Sequence, residues 1–138
     1  MAPPSEIKAI VIEKNTVATI QTVATPKLRD DYLLVRTKAV GLNPTDWKHI
    51  HYFGDVSAGA RVGCDYVGIV EEVGSKVTKS FAKGDRVCGM AHGSNQSCLE
   101  DGSFAEYIVV KGDVTIKVPD NLSDEEAATL GVGIQTVV

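Results

Sequence analysis

Between Asn43 and Tyr52 the chain sets out a side-chain amide, a carboxylate, an indole, a cation, two imidazoles and a phenol. These are Asn43, Asp46, Trp47, Lys48, His49, His51 and Tyr52. Such a set can polarise a carbonyl, face a polar cofactor and move a proton. Lys48 is the candidate cation, because a fixed positive group aimed at an oxygen that gains charge lowers the barrier to its reaction. The Tyr52 phenol suits proton donation, and the His49 and His51 imidazoles suit a relay. Each residue also has a plain structural reading. Asn43 followed by Pro44 is a helix N-cap, and Asp46 is a first-turn charge that favours the helix dipole. Trp47 reads as core or as the mouth of a substrate pocket. Lys48, His49 and His51 read equally as solvated side chains of a short helix.

Metal chemistry finds less support in the spacing. A catalytic zinc needs about three protein ligands and an open position. Cys64 and Asp65 offer one thiolate and one carboxylate, and Asn43 is a poor ligand. Cys88 and Cys98 fall outside any CxxC spacing. His49 and His51, two apart, point to roughly opposite faces of a helix. Cys64 and Cys88 therefore read as buried small apolar side chains, and Cys98 as an exposed thiol in a polar loop. No metal site is expected.

The elements that position these groups are mostly strands. Ile7–Glu13 and Val17–Ala24 are rich in Ile, Val and Thr and flank a turn, so a hairpin is expected. Tyr32–Val40, Asp65–Gly74, Arg86–Met90, Phe104–Val110 and a short run within 113–119 read as further strands. A helix is expected from Pro44 to about Tyr52, followed by a mobile, glycine-containing loop over 54–63. The stretch 91–103 is a long polar loop, of the kind that is functional or disordered. Ser123 and Glu126 form a capping box that opens a second helix, with Gly131 as its expected stop. The apolar pair Val137-Val138 is expected to pack on something further along. No βαβ alternation occurs, so a compact, mainly β, barrel-like domain with short helices is expected, without a doubly wound nucleotide-binding unit.

Composition narrows the function classes. With 14 Lys and Arg against 18 Asp and Glu, the net charge is -4. Such a surface does not attract nucleic acid or anionic membranes in bulk. No apolar run approaches the roughly 18 residues of a membrane span. Three widely spaced cysteines fit reduced thiols in a cytoplasmic protein.

Three stretches in order, GLNPTDWK (41–48), GCDYVGIVEEVGSKVTKSFAKGDRVCG (63–89) and the run from Gly102 to the end, resemble the N-terminal domain of the medium-chain dehydrogenase/reductase superfamily. The NPTDWK corner and the GVGIQT run are similar to its zinc-free fungal branch, the trans-acting enoyl reductases of polyketide synthesis and their toxin-cluster relatives. The resemblance implies a GroES-like, partly open β-barrel over 1–122. It also implies that 123–138 start the helix leading to a nucleotide-binding domain these residues lack. It implies NADPH as cofactor, held mainly by that other domain, with Lys48 and Thr136 on its near side; Asn43, whose amide could also turn into the cleft, is a further cofactor candidate, and Trp47 and Tyr52 are the candidates for the substrate pocket. The superfamily's zinc enzymes carry a cysteine at the place of Asn43 and a His-Glu pair at the place of Cys64-Asp65, so zinc independence is implied here.

The reaction implied is hydride transfer to the activated C=C of an enoyl thioester or enone, or to a quinone. A polyketide synthase or acyl carrier protein is the implied partner, and the chain by itself is expected to be inactive. A non-enzymatic GroES-like domain acting by self-association is the alternative of a different class, and monomer and homodimer both stay open.

Overall fold

The computed structural model describes residues 2–137, so the expectation for Val138 lies outside the described residues. Seven strands and three short α-helices follow in the order β1 (Glu6–Ile12), β2 (Ala18–Ala24), β3 (Tyr32–Ala39), α1 (Pro44–Phe53), β4 (Asp65–Val73), β5 (Arg86–Met90), β6 (Tyr107–Lys111), β7 (Thr115–Lys117), α2 (Asp124–Ala128) and α3 (Gly131–Val137). All described pairings are antiparallel: β1 with β2, and a five-stranded sheet in the order β6-β3-β4-β5-β7. Among the described residues the barrel is not closed. Single bridges, Ala9 to Ala105 and Val11 to Arg61, join the hairpin to the rest.

Alternation puts the two faces of the sheet to different uses. Leu33 and Val35 of β3, Tyr66 and Val70 of β4, Val87 of β5, and Ile108 and Val110 of β6 pack with Ile7, Ala9 and Val11 of β1 in the main core. Val67 and Cys88, on the opposite face, are covered by Ala127 and Ala128 of α2. The Tyr66 hydroxyl, fully buried, shares a 2.8 Å hydrogen bond with the Thr115 hydroxyl and so ties β4 to β7 across the core.

The expected strands all form, β5 with the expected bounds and the others with shifted ends. Phe104–Glu106 stand before β6 as an irregular lead-in. Two stretches behave differently from their composition. The 54–63 segment is no mobile loop: Ser57, Ala60, Arg61 and Val62 are buried, and its backbone bonds to β1 through Ala60 and Val62. Glycine here serves close packing. Gly131 does not stop the second helix, which ends at Ala128. It opens α3, because a Cβ there would lie 2.4 Å from the Gly89 carbonyl oxygen.

Gly68 sits where β4 crosses a bulged part of β3, and a Cβ at that place would stand 2.4 Å from the Arg36 carbonyl oxygen. Gly68→Ala is therefore expected to destabilise the fold by about 1–3 kcal/mol through overpacking. A lowered urea midpoint with an unchanged slope would be the signature, and an unchanged midpoint would contradict it.

Candidate active site

The strand-to-helix corner after β3 is built around one buried carboxylate. Asp65, the first residue of β4 and 2% exposed, accepts a hydrogen bond at Oδ2 from the Asn43 side-chain amide (3.0 Å). At Oδ1 it accepts one from the Val132 backbone N–H (2.7 Å) in the first turn of α3. Two glycines let the backbone close around it: a Cβ on Gly41 would meet the Ala128 carbonyl oxygen at 2.6 Å, and one on Gly131 would meet Asp65 Oδ1 at 2.5 Å. Asn43 occupies the N-cap position with extended backbone. Its N–H donates to Asp46 Oδ2 (2.7 Å), the return half of a capping box. The side-chain amide thus faces Asp65, and Asn43 stands at the N-cap position expected of it.

α1 presents little apolar surface to the core, and of its residues only Asp46 is buried. Trp47 is 55% exposed, so its reading as core is overturned: the helix is held by polar contacts at its N-terminus, leaving its aromatic face outside. Trp47 instead lines a groove of about 380 Å³ with Asn43, Asp46, Leu42, Ile10 and Phe104. Lys48 is exposed, its Nζ 5.7 Å from the centre of the Trp47 ring, and it has no ion-pair partner among the described residues. Tyr52, 65% exposed, stacks edge-on against His51 at 4.8 Å and does not line that groove. Thr136 is exposed, one turn beyond Val132 on α3, and its hydroxyl donates to the Val132 carbonyl (2.7 Å). Asn43 and the start of α3 are brought together by Asp65, whereas Lys48, Trp47 and Tyr52 share the outer face of α1. His49 is half-buried, with Nδ1 enclosed and unpartnered and its ring edge-on to Phe53 at 6.0 Å.

Electrostatics at the corner disfavour a thiolate. Burial, reinforced by the charge of Asp46, pushes the Cys64 thiol up to about 11, so it is neutral at physiological pH. Burial likewise raises Asp46 above the ordinary carboxylate range, with Asp65 adding repulsion against the opposing pull of the Asn43 N–H. Among the described residues no group of three or more His, Cys, Asp or Glu gathers where it could hold a metal ion. An amide, one thiol and one carboxylate whose two oxygens are both hydrogen-bonded do not make the ligand set of a catalytic zinc. Cys98 departs from its expected exposure: it is half-buried, with Sγ 2.9 Å from an Arg29 nitrogen. Spacing alone did not reveal Asp65 as the organiser of the corner. The only cue was its place one residue after Cys64 at a strand start, and its partners come from positions 43 and 132.

The Asp46 carboxyl binds its proton more tightly in the fold than in the unfolded chain. Stability is therefore lost as pH rises from about 4 through the raised folded-state value. Asp46→Asn, which can still accept from the Asn43 N–H, is expected to remove that slope, so its advantage over the wild type grows with pH in urea titrations. An advantage independent of pH would refute this assignment. Asp65→Ala strands two donors and is expected to cost about 3 kcal/mol, with the Val132 amide losing hydrogen-exchange protection first.

Comparison with known proteins gives this architecture its relations. The family model for the alcohol dehydrogenase GroES-like domain matches residues 29–120. The chain is similar to the trans-enoyl reductase TOXD of Cochliobolus carbonum, at 65% identity over 112 residues, covering 81% of this chain and 37% of that protein. Among solved structures it is similar to the quinone oxidoreductase of Coxiella burnetii, with TM-score 0.73 and 30% identity, over 89% of this chain and 40% of the other. A mycobacterial protein solved in complex with NADPH matches with TM-score 0.70 and 26% identity, over 88% of this chain and 37% of the other. The chain thus spans well under half the length of each of these relatives. No helix of the described residues is long and apolar enough to cross a membrane. The family model matched over residues 29–120, together with these relatives and the open antiparallel sheet, leads to one conclusion: the chain belongs to the alcohol dehydrogenase GroES-like domain family of the medium-chain dehydrogenases/reductases.

Proposed function

We propose that this chain is the substrate-side part of an NADPH-dependent, zinc-independent reductase acting on the activated C=C of an enoyl thioester or enone. The observation that carries the reading is the corner itself. Asn43 and the α3 N-terminus are locked to Asp65, so the place where a metal would polarise the substrate is given to hydrogen-bond donors and a carboxylate. The 65% identity to a trans-enoyl reductase and the likeness to a protein solved with NADPH support the substrate class and the cofactor.

NADPH, when bound, supplies the hydride. The residues that would face it are Asn43, Lys48 and Thr136. The Thr136 hydroxyl keeps acceptor capacity beyond its bond to Val132, and Lys48 is exposed with no ion-pair partner among the described residues. Hydride addition at the β-carbon of an enoyl group places negative charge on the carbonyl oxygen, and a lysine ammonium held nearby stabilises it. Trp47, on the groove wall, gives the acyl portion an apolar surface, and the Tyr52 phenol on the same helix is the candidate proton source. Residues 1–122 would form the catalytic domain and 123–138 the approach to a nucleotide-binding domain. The phosphates and adenosine would be anchored there, so the isolated chain would not turn over NADPH. An acyl carrier protein or polyketide synthase would present the substrate in the cytoplasm. Reduction of a quinone is the second reading, supported by the 30% identity to a quinone oxidoreductase.

The test is a fusion of this chain to the remaining portion of the Cochliobolus carbonum relative. The fusion is expected to oxidise NADPH with an enoyl thioester, faster than with a quinone, and to keep that activity after dialysis against a zinc chelator. Lys48→Ala in the fusion is expected to lower kcat about a hundredfold with circular dichroism unchanged. A folded fusion without NADPH oxidation would sink the reductase reading, and stoichiometric zinc lost together with activity would sink its metal-free form.

A further inference from the structure

Strand β1 is bonded along both of its edges, and β2 along only one. The Ile10 and Ile12 N–H groups of β1 donate to the Phe104 (2.8 Å) and Ala60 (2.9 Å) carbonyls, and the Ile10 carbonyl accepts from the Val62 N–H (3.0 Å). On the hairpin side, the Glu13 N–H donates to the Val17 carbonyl (2.7 Å) and the Thr25 N–H to the Ser5 carbonyl (3.0 Å). That phase turns the backbone of residues 17, 19, 21 and 23 toward β1, and that of Ala18, Ile20 and Thr22 away from it. No other strand of the described residues pairs with β2, and the Ala24 carbonyl is taken by the Arg61 guanidinium (2.8 Å).

This edge lacks the devices that keep sheet edges apart, which are shortness, charge, proline or a bulge. β7 is three residues long and ends in Lys117, and β6 ends in Lys111. β2 runs for seven residues without a register shift, and residues 15–26 hold no Asp, Glu, Lys or Arg. None of its residues is buried, and Ile20 is 73% exposed. Ile20 lines a groove of about 400 Å³ together with Val40, Leu42 and Phe104. Charge is divided between the two ends of the strand. At the turn stand Glu13, Lys14 and Asp55, whose carboxylate accepts from the Asn15 N–H (2.8 Å), two acids against one base. Around the other end stand Lys8, bonded to the Thr22 hydroxyl, Lys27 and Arg61 against Glu6 and Glu106, three bases against two acids.

We propose that two copies of this chain associate by pairing their β2 edges antiparallel about a twofold axis at Ile20, joining the two hairpins into one four-stranded sheet. In that register Ile20 meets its own counterpart, Ala18 meets Thr22, Thr19 meets Gln21 and Val17 meets Val23, and the outward N–H and C=O groups of Ala18, Ile20 and Thr22 bond one another. No pair sets like charges together, and the Ile–Ile and Val–Val pairs cover apolar surface. The antiparallel sense also brings the acidic turn end of one copy to the basic end of the other. A second copy therefore fits this edge in sequence, register and charge, by strand addition. Ala18 lines the Trp47 groove, so Thr22 of the second copy comes to the rim of that groove. Seven residues span about 24 Å at about 3.4 Å per residue, an interface at the small end of the specific range, so the association is concentration-dependent. The pairing does not rest on the reductase reading.

The test is sedimentation velocity of the full chain from micromolar to millimolar concentration, with disulfide capture as a second measurement. The chain is expected to pass from monomer to dimer across that range. Ile20→Lys, which sets two like charges at the axis and removes the Ile–Ile contact, is expected to weaken the dimer about tenfold or more with circular dichroism unchanged. For capture, Ile20→Cys and Ile134→Cys are each placed in a Cys98→Ser background and oxidised. Opposed residues of a hydrogen-bonded antiparallel pair have Cα atoms about 5.5 Å apart, within disulfide reach. Ile20→Cys is therefore expected to give a covalent dimer, and Ile134→Cys, half exposed on α3, to stay monomeric. A chain that is monomeric throughout, a dimer undiminished in folded Ile20→Lys, or capture through Ile134→Cys in place of Ile20→Cys would each overturn the proposal. If Ile20→Lys does not fold, the capture result decides.

Discussion

Asp65 is the charge on which the arrangement of this molecule turns. A carboxylate that is 2% exposed is costly unless its oxygens are bonded, and each has a donor: the Asn43 amide and the Val132 N–H. Because those donors lie 22 residues before it and 67 after it, satisfying one side chain brings the β3–α1 corner and the start of α3 to the head of β4. The glycines at 41 and 131 follow from that demand, since side chains there would occupy the space the carboxylate and its neighbouring backbone need.

A helix fastened at its first turn by polar contacts has no need of an apolar stripe. α1 buries Asp46 and little else, and its Trp47, Tyr52 and Phe53 stand half or more exposed. That frees one side of the helix to line the Trp47 groove and another to line a hollow shared with the loop after β5. The same packing neutralises the corner chemically. Burial keeps the Cys64 thiol protonated and holds the Asp46 carboxyl above its usual range, so groups of the type that serve as ligands or nucleophiles act here as packed, hydrogen-bonded structure. What remains available for chemistry is peripheral: the exposed Lys48 ammonium, the Tyr52 phenol and the His51 imidazole.

The strands were legible because alternation and β-branched residues report directly on a half-buried sheet, as in β1, where Ile7, Ala9 and Val11 turn inward. The capping box at Ser123 and Glu126 was legible because its partners are three residues apart, and both of its hydrogen bonds form. Segment 54–63 misled because small residues and glycines signal flexibility and tight packing equally well. Gly131 misled for the same reason, since a glycine placed to stop one helix is also the residue that lets the next begin against a neighbouring strand.

The amino-acid sequence by itself determined the elements, the family likeness and the inventory of reactive groups at the corner, because these rest on local periodicity, capping chemistry and ordered motifs. Only the tertiary structure decided that Trp47 lies outside the core, that Asn43 answers to Asp65, and that His49 and His92 line one hollow. Those outcomes depend on contacts between residues tens of positions apart. Such contacts are set by which buried polar group finds its partner once the sheet has formed, and no local pattern encodes that.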